Sequence, residues 1–279
     1  MKKILFPTDY SETANNAFIY ALNIAKKYDA MLYVLHVYQN PIISSRIPPI
    51  VVQDTAIASE LRSFEDFKES SSFLHDILER EGASDVDMKL ILKEGYFTST
   101  IKEFVEEEKD IDLVVMGTNG SSSYLERAFF GSNTVSAIKN LKIPVISIPL
   151  QAKYSSIKSI VFTTLFKEKD RDALNYLVLI AERFGAKIHC LHVGNKYKSD
   201  LDETLNIWKS DFASKPILFE ILEIDENINK TILKYVDKNK IDLMASVPRN
   251  LNFFEDLFSP SFTKTMSYEA KVPILVVKF

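Results

Sequence analysis

Three of the chain's seven glycines fall within two short segments, Met116-Gly117-Thr118-Asn119-Gly120 and Gly131-Ser132-Asn133-Thr134. The first segment follows an apolar run, Asp112 to Met116, that reads as a buried strand. The second opens a helical pattern running from Ser132 to Leu141. Glycine lets a backbone turn with positive φ and lets a ligand approach the main chain closely. The first N–H groups of a helix have no acceptor within it and sit at the positive end of its dipole, so they can hold a phosphate. Ser132 and Thr134 add hydroxyl groups to that first turn. Residues of these types, clustered between a strand and a helix, point to binding of an anion. A plainer account exists residue by residue. Gly117 and Gly120 can simply shape a tight loop, Ser132 can cap a helix, and Asp9 with Glu12 can form a capping box.

Other residues with reactive side chains assemble into nothing comparable. The Gly-Lys-Ser/Thr of a phosphate-clamping P-loop is absent, which speaks against efficient ATP hydrolysis. His36 and His192 occupy matching places in two related segments, which favours a structural role. His189 and His192 lie three apart on an expected strand and face opposite sides, so they cannot chelate together. His75 stands alone on a charged helix. Cys190 is the single cysteine; it excludes an internal disulfide and a multi-thiolate metal site, and it fits a reducing cytoplasm. No Ser/His/Asp constellation can be built from matched motifs, and no metal site is expected. The acidic run Glu103 to Asp110 reads as a solvated helix face.

The elements that must position the glycine segment follow from periodicity. Ile4 to Phe6 reads as a strand ending at Pro7. Ala14 to Lys27 carries one apolar stripe at helical spacing, through Ala14, Ala17, Phe18, Ala21, Leu22 and Ala25. Met31 to Val37 is again β-prone. Asn40 to Val52 reads as a loop, Thr55 to Glu81 as a charged helix, Val86 to Leu92 as a strand, Thr98 to Glu108 as a helix, and Val145 to Ile148 as a fifth strand. Near-continuous apolar strands alternating with helices indicate a parallel sheet covered on both faces. In such a sheet, ligands bind beyond the carboxyl ends of the strands, where strand order reverses. The turns after the first and fourth strands, Pro7-Thr8-Asp9 and the glycine segment, are natural neighbours there.

The pattern is then written a second time. Ile4 to Thr8 and Leu35-His36-Val37 recur, each displaced by 156 residues, as Ile160 to Thr164 and Leu191-His192-Val193. Ile111-Asp112-Leu113 and Ile143-Pro144-Val145 return as Ile241-Asp242-Leu243 and Val272-Pro273-Ile274. An internal repeat of this kind implies two units of one fold. Lys196 to Lys215 is much shorter than Tyr38 to Ser84, so the second helix of the second copy must be reduced. Polar Gln151 to Ser156 marks the boundary, giving domains 1–151 and 157–279. The second copy lacks the glycines: Gly117 falls on Val247, Gly120 on Asn250, Gly131 on Pro260, and Asp9 on Leu165. Ser261 and Thr263 survive, which capping alone explains, and Phe253, Phe254, Leu257 and Phe258 look like groove filling. What differs between the copies was not needed for the fold.

The order of elements, the Pro-Thr-Asp after the first strand, the Leu-His-Val in the second and the Gly-x-x-Gly... Gly-Ser-x-Thr segment together resemble the universal stress protein family, over essentially the whole chain as a tandem pair. The resemblance implies an α/β fold: two tandem Rossmann-like (adenine nucleotide alpha hydrolase-like) domains, each an open five-stranded parallel sheet flanked by helices. It implies a site for ATP, with AMP or ADP as alternatives and Mg as companion to the nucleotide. Pro7, Thr8 and Asp9 would line the adenosine side, Val37 would lie against the base, and Met116 and Gly117 would form the strand end. Gly120, Gly131, Ser132, Asn133 and Thr134 would hold ribose and phosphates. One departure is visible: Ser121 to Phe130 places ten residues between the second and third glycines, where the family usually has nine. Family members pair through their final strands, so Val145 to Ile148 and Ile274 to Val277 are expected to form an internal pseudo-dimer, with a homodimer as a further option.

Composition limits the classes of function. The hydrophobic fraction of 46% and charged fraction of 26% are those of a soluble globular protein. A net charge of −4 gives no electrostatic case for nucleic acid or anionic membrane. The apolar run after Lys2-Lys3 is too short for a signal peptide, and none approaches a membrane span. The expectation is a cytoplasmic stress-response sensor or regulator that binds an adenine nucleotide in its first domain. The rivals are a slow ATP-hydrolysing enzyme and a ligand-free interaction scaffold.

Overall fold

The computed structural model describes residues 1–39, 49–118, 132–194, 199–247 and 272–278, with side chains from 57 onward in one helix and from 201 onward in another. The chain packs as two compact units, the first from Met1–Ser122 and Gly131–Leu141, the second taking up the chain from Lys142.

The first unit runs β1 (Lys3–Thr8), α1 (Glu12–Tyr28), β2 (Met31–Tyr38), α2 (Pro49–Arg80), β3 (Met88–Glu94), α3 (Phe97–Glu107), β4 (Ile111–Gly117) and α4 (Ser132–Asn140). Its strands stand in the order β3-β2-β1-β4, all parallel. The apolar runs that announced these strands are inaccessible to solvent, from Ile4 to Phe6, Leu32 to Leu35 and Leu113 to Met116. Helix α1 buries the stripe its spacing foretold, and the Phe18 ring meets Phe6 at 5.3 Å between centroids. Asp29 ends that helix in the left-handed conformation, φ 53°, with its N–H on the Ala25 and Lys26 carbonyls.

The second unit runs β5 (Val145–Ile148), β6 (Ser159–Thr163), α5 (Glu168–Phe184), β7 (Lys187–Val193), α6 (Ser199–Asp211), β8 (Ile217–Leu222), α7 (Ile228–Lys238), β9 (Leu243–Ser246) and β10 (Ile274–Val276). Its order is β5-β10-β9-β6-β7-β8. The four neighbours β9, β6, β7 and β8 reproduce β4-β1-β2-β3 of the first unit, again parallel. Strand β10 joins β9 in parallel and takes β5 antiparallel on its other edge, with Leu275 opposite Ile146. Helix α6 has 13 residues against 32 in α2, the reduction the repeat lengths required.

Several local expectations are corrected. Strand β1 does not stop before Pro7; it pairs with β2 as far as Thr8 opposite His36. Proline is tolerated there because the β1–β4 register ends at Leu5 opposite Val114, so the missing N–H removes no bond of that ladder. Asp9 and Glu12 do not form a capping box. Ser11 is the N-cap of α1, its Oγ accepting from Ala14 N–H at 3.2 Å, and Asp9 Oδ1 accepts from Ser11 N–H at 3.1 Å in a local turn. Helix α2 begins at Pro49, inside the segment expected to be a loop; proline suits a helical first turn.

Candidate functional site

In the first unit the chain leaves β1 for β2 on one side and finds β4 on the other, so strand order reverses between β1 and β4. The carboxyl ends of these two strands carry Pro7-Thr8-Asp9 and Met116-Gly117. Pro7, Thr8 and Met116 are buried, Val37 is half-buried at the end of β2, and Asp9 is exposed. Ser132 and Asn133 open α4 and are exposed, whereas Thr134 is buried. Gly120 and Gly131 lie outside the described residues, as do Asn250, Phe253, Phe254, Leu257, Phe258, Pro260, Ser261 and Thr263 of the second copy.

The two halves of the glycine segment are tied together. Thr134 Oγ1 donates to the Gly117 carbonyl at 2.9 Å, fixing the first turn of α4 against the end of β4. That hydroxyl proton is committed to the protein, whereas Ser132 is exposed. Gly117 itself is needed for a reason that periodicity did not supply. A Cβ there would sit 2.9 Å from both the Oγ-bearing side chain (Cγ2) and the carbonyl oxygen of Thr13. The glycine therefore admits the first turn of α1 against β4, the close helix–strand approach seen in nucleotide folds. Its φ lies outside the left-handed region, so a turn is not what demands it.

Tyr10 and His36 complete the rim, and the glycine pattern gave no hint of the first. Tyr10 adopts φ 59°, its N–H bonded to Thr8 Oγ1 at 3.0 Å. Its ring stacks on His36 at 4.8 Å with 28° between planes. His36 Nδ1 donates to the Thr8 carbonyl at 2.8 Å, and His192 does the same to Thr164 at 2.9 Å. One bond in both copies gives these histidines a positioning role: each clamps the end of the first strand. Burial pushes the Tyr10 phenol above its ordinary range. A signal for Tyr10 was available in the sequence, since an aromatic directly follows the loop in both copies, Tyr10 and Phe166.

His189 points elsewhere, as its place on the strand required. Its Nδ1 lies 2.7 Å from the Tyr235 hydroxyl and its Nε2 3.2 Å from Ser159 Oγ. Burial lowers its pKa, followed in size by an opposing effect of Glu220. Cys190 is fully buried and burial raises its thiol pKa far above the usual range, which removes thiolate reactivity. Among the described residues no group of three or more His, Cys, Asp or Glu could hold a metal, and no helix is long and apolar enough to cross a membrane. A polar depression lined by Lys2, Lys26, Asp29, Asp85 and Asp87 lies at the opposite, amino ends of the strands and takes no part in the site.

Comparison with known proteins gives the family and the fold. The sequence profile of the Universal stress protein family matches residues 1–149. A universal stress protein of Methanocaldococcus jannaschii is 33% identical over 147 residues, covering 53% of this chain and 81% of that protein. A putative universal stress protein of Staphylococcus aureus is 27% identical over 168 residues, covering 60% of this chain and 96% of its own. Among solved structures, a universal stress protein from Archaeoglobus fulgidus aligns with 99% of this chain and 98% of its own at a TM-score of 0.72 and 17% identity, which is a likeness of fold.

Proposed function

The chain belongs to the universal stress protein family, and from that premise we propose that its first domain, residues 1–151, binds an adenine nucleotide while the second, residues 157–279, does not. The nucleotide is ATP, or AMP or ADP, and Mg accompanies the phosphates. The protein acts in the cytoplasm as a stress-response sensor or regulator that reads nucleotide rather than consuming it.

One observation carries this reading. At the reversal point of the first unit, the Thr8-Asp9 loop follows β1, the glycine end of β4 lies on the neighbouring strand, and the Thr134–Gly117 bond ties that end to the first turn of α4. The exposed Asp9, Ser132 and Asn133 face solvent at that place, and the half-buried Val37 offers an apolar wall for a base. The second unit has Val247, buried, where Gly117 stands in the first. On this reading the Asp9 carboxylate holds a ribose hydroxyl or a metal-bound water. Without a clamping lysine, turnover stays slow. An internal pseudo-dimer of the two domains, with a homodimer as a further option, belongs to the same reading as what the family resemblance implies.

Isothermal titration of the whole protein with ATP tests this. One site per chain is expected. Two equivalent sites would contradict the difference between the copies, and the absence of binding would favour the scaffold. A sensitive phosphate-release assay separates sensor from enzyme.

A further inference from the structure

The two copies build the same loop after their first strand and then treat it differently. Thr8 and Thr164 each accept, through Oγ1, the N–H two residues on, from Tyr10 at 3.0 Å and Phe166 at 2.8 Å. Those aromatics share positive φ, 59° and 57°. In each copy a histidine clamps the threonine carbonyl.

The remaining loop donors differ. In the second unit the carboxylate of Asp170, 1% exposed, accepts three of them on one oxygen: Leu165 N–H at 2.9 Å, Lys167 N–H at 3.1 Å and Thr164 Oγ1–H at 3.0 Å. A buried carboxylate is costly unless its oxygens are met in this way. The residue 156 positions earlier is Ala14, which has no acceptor to offer. In the first unit Ser11 N–H turns to Asp9 Oδ1, and among the described residues nothing accepts the Asp9 N–H, the counterpart of Leu165 N–H.

The rings differ as well. Trp208 of α6, 4% exposed, stands edge-on to Phe166 at 5.1 Å, and Phe166 lies 5.8 Å from His192. In the first unit Tyr10 stacks directly on His36, and among the described residues no third ring joins them.

We propose that Asp170 and Trp208 are built-in occupants of the second unit's ligand place. The carboxylate takes the counterpart of the Asp9 N–H, which a ligand's acceptor atom meets in the first unit, and the indole takes the room of a flat aromatic base. The second copy is then closed by its own side chains, and loss of glycines is only part of its silence. Identifying the displaced ligand rests on the nucleotide reading of the first unit; the occupancy itself does not.

The test uses the full chain with Trp208→Gly, probed by free indole and by adenosine. Indole is expected to raise the unfolding midpoint of the variant and to leave the parent unchanged, and calorimetry is expected to count one adenosine site more in the variant than in the parent. A variant that folds only when refolded with indole also supports the proposal; one that folds in neither condition, or that folds and ignores indole, overturns it. Rescue by indole without an added adenosine site overturns the assignment of the indole as a base stand-in. In the first unit, Ala14→Asp brings a carboxylate to the Asp9 N–H and is expected to weaken ATP binding about tenfold or more, with far-UV circular dichroism unchanged; unchanged affinity overturns the role given to the carboxylate. If the parent itself takes no ATP, the nucleotide reading fails while the indole measurement still decides whether Trp208 is an occupant.

Discussion

Gly117→Ala is the sharpest probe of how the first unit is assembled. The added methyl would meet three Thr13 atoms, Cγ2 at 2.9 Å, O at 2.9 Å and C at 3.0 Å. Comfortable contact between such atoms is about 3.5–4.0 Å, so the first turn of α1 must retreat by about 0.5–1 Å. That retreat is resisted, because α1 buries nine side chains against the sheet. Overpacking of this kind costs about 1–3 kcal/mol. Since Gly117 does not need positive φ, alanine recovers about 0.4–1 kcal/mol by restricting the unfolded chain. The net loss is about 1–2 kcal/mol, which at a urea dependence of about 2 kcal/mol/M lowers the midpoint by about 0.5–1 M. Far-UV circular dichroism is the right signal, because the single tryptophan, Trp208, lies in the second unit. Adding Thr13→Ser should recover only part of the loss, since two of the three clashing atoms are backbone. A Gly117→Ala protein as stable as the parent, or more stable, would refute the close approach of α1 and with it the physical account of this glycine.

Further outcomes are expected elsewhere. Val247→Gly, at the matching place, opens a hole where a buried valine packs and should cost about 2 kcal/mol in a urea titration, with no gain in nucleotide binding. Asp170→Ala strands two loop N–H groups and a hydroxyl and should destabilise the protein by about 2–4 kcal/mol, read from the Trp208 fluorescence transition. His189 has its folded pKa lowered by burial, so its contribution is present above the unfolded value near 6.5 and is lost as pH falls below it; His189→Gln should flatten the fall in stability between pH 7.5 and the acid side, and an unchanged pH profile would refute this. A fragment ending at Gln151 loses β10, the antiparallel partner of β5, and should dimerise through the freed edge; a well-folded monomer by sedimentation at micromolar concentration would count against that pairing as the driver of assembly.

The sequence by itself determined most of the elements and their repetition, and it pointed to the place of the proposed site. Near-continuous apolar runs such as Ile4 to Phe6 and Leu113 to Met116 can only be strands buried on both faces, and the stripe of α1 can only face a sheet, because apolar surface left in water is costly. The repeat at 156 residues carried that reading into the second unit. What the sequence could not decide depends on groups far apart in the chain meeting in space. The demand for glycine at 117 comes from Thr13, over a hundred residues earlier, and vanishes from view in a local pattern. The N-cap of α1 fell to Ser11 and not to Asp9 because Tyr10 takes positive φ and turns the Asp9 side chain back on the loop. In the sequence the second copy differs by its missing glycines, by Leu165 in place of Asp9 and by residues that look like groove filling. The tertiary structure adds a carboxylate placed under three donors and an indole from another helix, an arrangement that no spacing in the chain could announce, because hydrogen bonds and ring contacts are set by distance in space and not by distance in sequence.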